Sequence, residues 1–91
     1  MEIGRVIGRV WATKKDEQLN GQKFLVLKIL LEQGKEKPEL IVAADIIGAG
    51  VGDLVLVVRG GSARYAVGNP DCPIDSAVVG IVDSIEVEEN E

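Results

Sequence analysis

Three glycines at alternate positions, Gly48, Gly50 and Gly52, divide two apolar runs and limit what this chain can become. Before them, residues 40–45 (LIVAAD) are branched or small and apolar; after them, Asp53 opens residues 54–59 (LVLVVR). Both runs are too short for a buried helix, and valine favours a pleated strand. Glycine lets the connecting backbone take a positive φ, where a Cβ would clash. Residues 42–64 therefore read as strand, turn, strand and then a loop of small residues, 60–64 (GGSAR), ending in one cation. The Gly48-Ala49-Gly50 start imitates a dinucleotide-binding turn, but that fingerprint needs a glycine at position 53 and a helix after it. Position 53 is aspartate and a valine-rich run follows, so a plain turn is the better reading.

The same short-run grammar governs the rest of the chain. In residues 3–12 (IGRVIGRVWA) the even positions Gly4, Val6, Gly8, Val10 and Ala12 are small and apolar. The odd positions alternate Ile3, Ile7 and Trp11 with arginines, and a period of two places the two sets on opposite faces. The even set suits a tightly curved inner face. Ile3, Ile7 and Trp11 then form a candidate outer-face subunit interface. A polar loop, 13–22, contains the turn pair Asn20-Gly21. Residues 24–32 (FLVLKILLE) compete as helix or strand; the flanking turns and short span favour strand. Residues 33–39 (QGKEKPE) read as a hairpin loop before the third strand at 40–45, and 54–59 form the fourth. Pro70 and Pro73 make 65–73 irregular, 73–79 has the signature of one short helical turn, and 80–87 reads as the closing strand. The class is mainly β: a small five-stranded OB-like or SH3-like β-barrel with one short helical turn before the last strand.

A chain of 91 residues is expected to form one domain, 1–91, with its acidic tail frayed from about residue 86. It is 46% hydrophobic, yet Trp11, Phe24 and Tyr65 are its only aromatic residues, so Val, Ile, Leu and Ala must build the core. Mean hydropathy is positive, at +0.17, in a domain whose small size leaves much of its surface outside. Some apolar surface is then expected to be covered by another chain, which points to self-association.

Net charge is −5 and the pI about 4.7, which argues against nucleic acid as the main partner. Histidine is absent, which removes histidine-based triads and histidine-ligated metals. The carboxylates show no paired spacing, and no motif calls for a cofactor or a metal. Cys72 is the only cysteine, so no intrachain disulfide forms and a reducing compartment is expected; the thiol reads as inert. No signal pattern opens the chain and no apolar run approaches membrane-spanning length, so a soluble cytoplasmic protein without a membrane partner is expected.

In order, the chain carries Val10-Trp11-Ala12-Thr13-Lys14-Lys15, Leu19-Asn20-Gly21-Gln22-Lys23 and Val42-Ala43-Ala44-Asp45. Gly48-Ala49-Gly50-Val51-Gly52-Asp53, Gly61-Ser62-Ala63-Arg64 and Asp75-Ser76-Ala77-Val78-Val79-Gly80-Ile81-Val82-Asp83 follow. Together these pieces resemble the EutN/CcmL family, the pentameric vertex proteins of bacterial microcompartment shells, over nearly the whole chain. Ala44, Asp53 and the acidic tail depart mildly from the family pattern and leave the subtype open. The resemblance implies an OB-like subunit that assembles around a fivefold axis, or into a hexamer. It further implies closure of the vertices of a polyhedral, carboxysome-like shell whose facets are hexameric shell proteins. That role is structural, not enzymatic. Gly48, Gly50, Gly52, Gly61, Ser62 and Arg64 carry over as motif positions at subunit contacts or the axis. The alternatives are an OB-type module for single-stranded nucleic acid or peptide, and a small enzyme or anion-binding regulator using Lys14, Lys15 or Arg64.

Overall fold

The computed structural model describes every residue except Lys14, Glu32, Gln33 and 89–91. Five strands close into a barrel: β1 (Glu2–Val10), β2 (Lys23–Leu30), β3 (Glu36–Asp45), β4 (Leu54–Arg59) and β5 (Ser76–Ile81). A 3-10 turn at Glu17–Leu19 precedes β2, and one short helix, α1 (Gly61–Ala66), precedes β5. Around the barrel the order is β1-β2-β3-β5-β4, with β1 closing the ring against β4. All neighbours are antiparallel except β3 and β5, which meet in parallel through Ala44–Ala77 and Asp45–Val78. A parallel pair requires a crossover; β4, α1 and the segment to residue 75 supply it.

Two apolar clusters hold the fold. Inside the barrel, Val6, Leu25, Leu27, Ile29, Ala43, Val55, Val57 and Val78 are buried together, with Ala49 from the β3–β4 loop. Outside the wall, Ala44, Ala63, Cys72, Ile74 and Ala77 form a second cluster with Leu19, Phe24 and Val58 around them. Strand alternation produces both: Leu25 opposite Ala43 points inward, while Phe24 opposite Ala44 points outward.

Several expectations are corrected here. The even positions of the first strand do not all face inward. Val6 pairs with Leu27 but Gly8 pairs with Val26, so Ile7 is an extra residue that reverses the alternation. Gly4 and Val6 are buried inside; Gly8 and Val10 turn to the outer wall with Val26 and Phe24. The second run is a strand, since both of its long sides find ladder partners; its expected last residue, Glu32, lies outside the described residues. The third strand begins at Glu36, inside the expected hairpin loop, because Glu36 still pairs with Leu30. The short helix occupies 61–66, where a loop was expected, and β5 starts at Ser76, inside the expected helical turn. Residues 82–87, expected to be strand, have no regular structure. The helix forms because Ala63, fully buried, packs into the outer cluster, and tertiary burial decides a six-residue helix that propensity alone cannot hold.

Candidate assembly surfaces

The glycine turn is a rigid plug with an apolar outside. Asp45 Oδ1 accepts from the backbone N–H groups of Ile47 and Gly48, both at 3.0 Å. Asp53 Oδ2 accepts from the Gly50 N–H at 2.8 Å. The loop is then stitched to β1, with Gly52 N–H donating to Val6 O at 2.8 Å and Val6 N–H to Asp53 O at 3.0 Å. Gly48 and Gly52 have φ of 93° and 95°, the left-handed backbone that favours glycine. Ala49 is tucked into the barrel end, while Ile46, Ile47 and Val51 stand exposed. No helix follows, in keeping with the plain-turn reading.

Gly61, Ser62 and Arg64 lie on α1, with Gly61 and Ser62 exposed and Arg64 half-buried. Loop 46–53 enters β4 and α1 leaves it, so the two motif groups sit at opposite ends of a six-residue strand. That separates them by about 17 Å along the strand. The structure therefore presents two motif surfaces rather than one cluster. Ile3, Ile7 and Trp11 are also divided. Ile3 is half-buried beside Leu56 on the β1–β4 wall, Ile7 sits in the bulge, and Trp11 projects past the strand end, 88% exposed.

Sequence reasoning missed a groove of about 520 Å³ at the mouth of the barrel. Arg9, Trp11, Lys15, Lys23 and Phe24 line it, with buried Leu25 and Ala49 also in its wall. The bulge at Ile7 is what re-aims Arg9 toward it, because Arg9 is thereby paired with inward-facing Leu25. A bulge has no sequence signature in IGRVIGRV, so nothing in the chain announced this convergence. Ion pairing differs between the two regions of the barrel. Glu2 binds Arg59 at 2.7 Å and Lys37 at 3.6 Å, and Glu36 binds Arg5. Among the described residues, Arg9, Lys15 and Lys23 have no such carboxylate partner. Lys14, one of the candidate anion-binding residues, lies outside the described residues.

The sequence profile of "Ethanolamine utilisation protein EutN/carboxysome" matches residues 1–83. The chain belongs to the EutN/carboxysome family. Among EutN/carboxysome relatives, the carboxysome shell vertex protein CcmL of Thermosynechococcus vestitus is 49% identical over 85 residues, 93% of this chain and 86% of that protein. The solved structure of Gloeobacter violaceus CcmL superposes with a TM-score of 0.91 at 42% identity, covering 97% of this chain and 91% of the other. GrpN, a pentameric microcompartment shell protein from Rhodospirillum rubrum, gives 0.87 at 43% identity, covering 97% and 100%. The family match takes in the plug loop, α1 and all five strands, and the relatives' names favour the shell-vertex reading over the OB-type binding module.

Proposed function

We propose that five copies of this chain form a ring that closes the vertices of a polyhedral bacterial microcompartment shell in the cytoplasm, bordered by hexameric facet shell proteins. The observation that carries this reading is the near-full-length similarity to proteins named as shell vertex proteins, one of them solved as a pentamer. The surface supports it physically. Val51 is 59% exposed, Leu40 60% and Val42 50%, and an isolated small domain gains nothing by leaving them in water. A ring of head-to-tail contacts closes only if each contact turns the next subunit by the right angle. A loop pinned by two aspartates and stitched to β1 holds that angle better than a free one. Gly48, Gly50 and Gly52 in the plug, Gly61, Ser62 and Arg64 on α1, Ile3 on the β1–β4 wall, Ile7 in the bulge and Trp11 at the groove are the proposed contact or axis positions. The role is structural, as in the named relatives.

Native mass spectrometry tests the reading directly. A species near 48 kDa, five times 9.7, is the expected result. A stable hexamer would overturn the vertex geometry while leaving a shell-like ring. A monomer at all concentrations would overturn the assembly. Co-expression with a hexameric facet protein should then convert open sheets into closed particles only when this chain is present.

A further inference from the structure

We infer that the segment after β5, residues 82–88, is a docking arm that lies in the basic groove of the next subunit. This inference rests on the ring reading above and specifies one of its contacts. The family profile ends at residue 83, just inside this segment.

The Val82 N–H donates to Leu54 O at 2.8 Å, and beyond it none of the described residues joins the barrel ladder. The molecule measures 51 × 23 × 22 Å. Seven extended residues span at most about 25 Å, enough to reach a neighbouring subunit. The molecule's radius of gyration, 13.8 Å, exceeds the roughly 12 Å expected of a compact 91-residue domain. Residues 83–88 are exposed throughout and belong to no strand, so the arm stands off its own barrel. Its outer half alternates: Ile85 and Val87 are apolar, Glu86 and Glu88 acidic, and Asp83 adds a third carboxylate nearer the barrel. Ile85 is 48% exposed and Val87 77% exposed, so this chain alone does not cover them.

The groove is the complement of that pattern. Trp11 offers an apolar wall beside Leu25 and Ala49, and Arg9, Lys15 and Lys23 stand around it without ion-pair partners among the described residues. Among the described residues, Asp45 is the only carboxylate in the lining, and its Oδ1 already accepts from two backbone amides of the plug loop. Opposite charges that are unpaired within one subunit and matched between two give a contact its register. An exposed acidic segment with two apolar anchors, placed against a cationic groove with an aromatic wall, fits a head-to-tail contact. In that contact every subunit both gives an arm and receives one.

Three full-length variants and one truncation test this by sedimentation equilibrium, with folding checked by circular dichroism. The variants are K15E/K23E, E86K/E88K and the combination of all four changes; the truncation stops after Asp83 and keeps the profile-matched residues. Losing the two apolar anchors should raise the concentration at which the ring dissociates by about tenfold or more. Each charge reversal should weaken the ring, and the combination should restore most of the loss. Trp11, the single tryptophan, should emit to the red in the truncated ring relative to the full-length one. A truncated ring with unchanged dissociation and unchanged Trp11 emission overturns the docking arm and leaves the ring reading standing. Additive charge reversals without restoration also overturn it. A full-length chain that never assembles overturns the ring reading, and the arm with it.

Discussion

Leu27 is the position where the barrel's interior is most cleanly tested. It is fully buried, flanked by Leu25 and Ile29 on the same strand face, and paired with Val6 on one side and Ile41 on the other. Leu27→Ala removes three carbons, a transfer loss of about 2.4 kcal/mol. A cavity term adds to this, because a wall closed by hydrogen bonds on every side collapses poorly into the vacated space. The expected total is about 3 to 4.5 kcal/mol. For a domain of this size that corresponds to a fall in Tm of about 15 to 25 °C. Urea unfolding followed by far-UV circular dichroism is the assay, at fixed subunit concentration because assembly shifts apparent stability. Glu39→Ala, exposed on β3, serves as the control and should change stability by less than about 0.5 kcal/mol. If Leu27→Ala costs less than about 1 kcal/mol, or no more than the control, the barrel interior is not the stabilising core and the account of the fold fails.

Three other positions give distinct outcomes. A Cβ on Gly4 would meet the Lys28 backbone oxygen at 3.3 Å and Val57 Cγ2 at 3.4 Å, whereas on Gly8 its nearest neighbour is Val26 Cβ at 3.9 Å. Gly4→Ala should lose about 1 to 2 kcal/mol in the same urea assay while Gly8→Ala stays near neutral; equal effects would contradict the close β1–β2 approach. Asp53→Ala removes the carboxylate that accepts from the Gly50 N–H. It should cost about 1.5 to 2 kcal/mol and raise hydrogen exchange at Gly50, with Asp53→Asn losing less because an acceptor oxygen remains; unchanged exchange at Gly50 would show that the plug is held otherwise.

Much of the fold is legible in particular residues. LVLVVR is a short apolar run so rich in valine that the fourth strand appears with the same ends in sequence and structure. Glycine between two apolar runs identified the plug turn, although only Gly48 and Gly52 of its three glycines have positive φ. Phe24 and Leu25 were ambiguous between helix and strand until their cross-strand partners were known. The pieces that misled are those whose conformation depends on distant neighbours. GGSAR looks like a loop because its helix is a single short stretch anchored by one buried alanine. SAVVGI looks like the end of a helical turn until β3 and β4 pair with it on both sides.

The candidate surfaces divide in the same way. Residue order alone pointed to the family and to motif positions on the plug and on α1. It did not show that those positions lie at opposite ends of β4, nor that Ile3, Ile7 and Trp11 part company at a bulge. Local chemistry, in branched runs, turn glycines and acidic caps, is written in neighbouring residues and can be read from them. Strand order, the parallel β3–β5 meeting and the convergence of Arg9, Lys15 and Lys23 on one groove depend on barrel closure. Closure is set by the sum of many weak non-local contacts, and no short stretch of the chain encodes it.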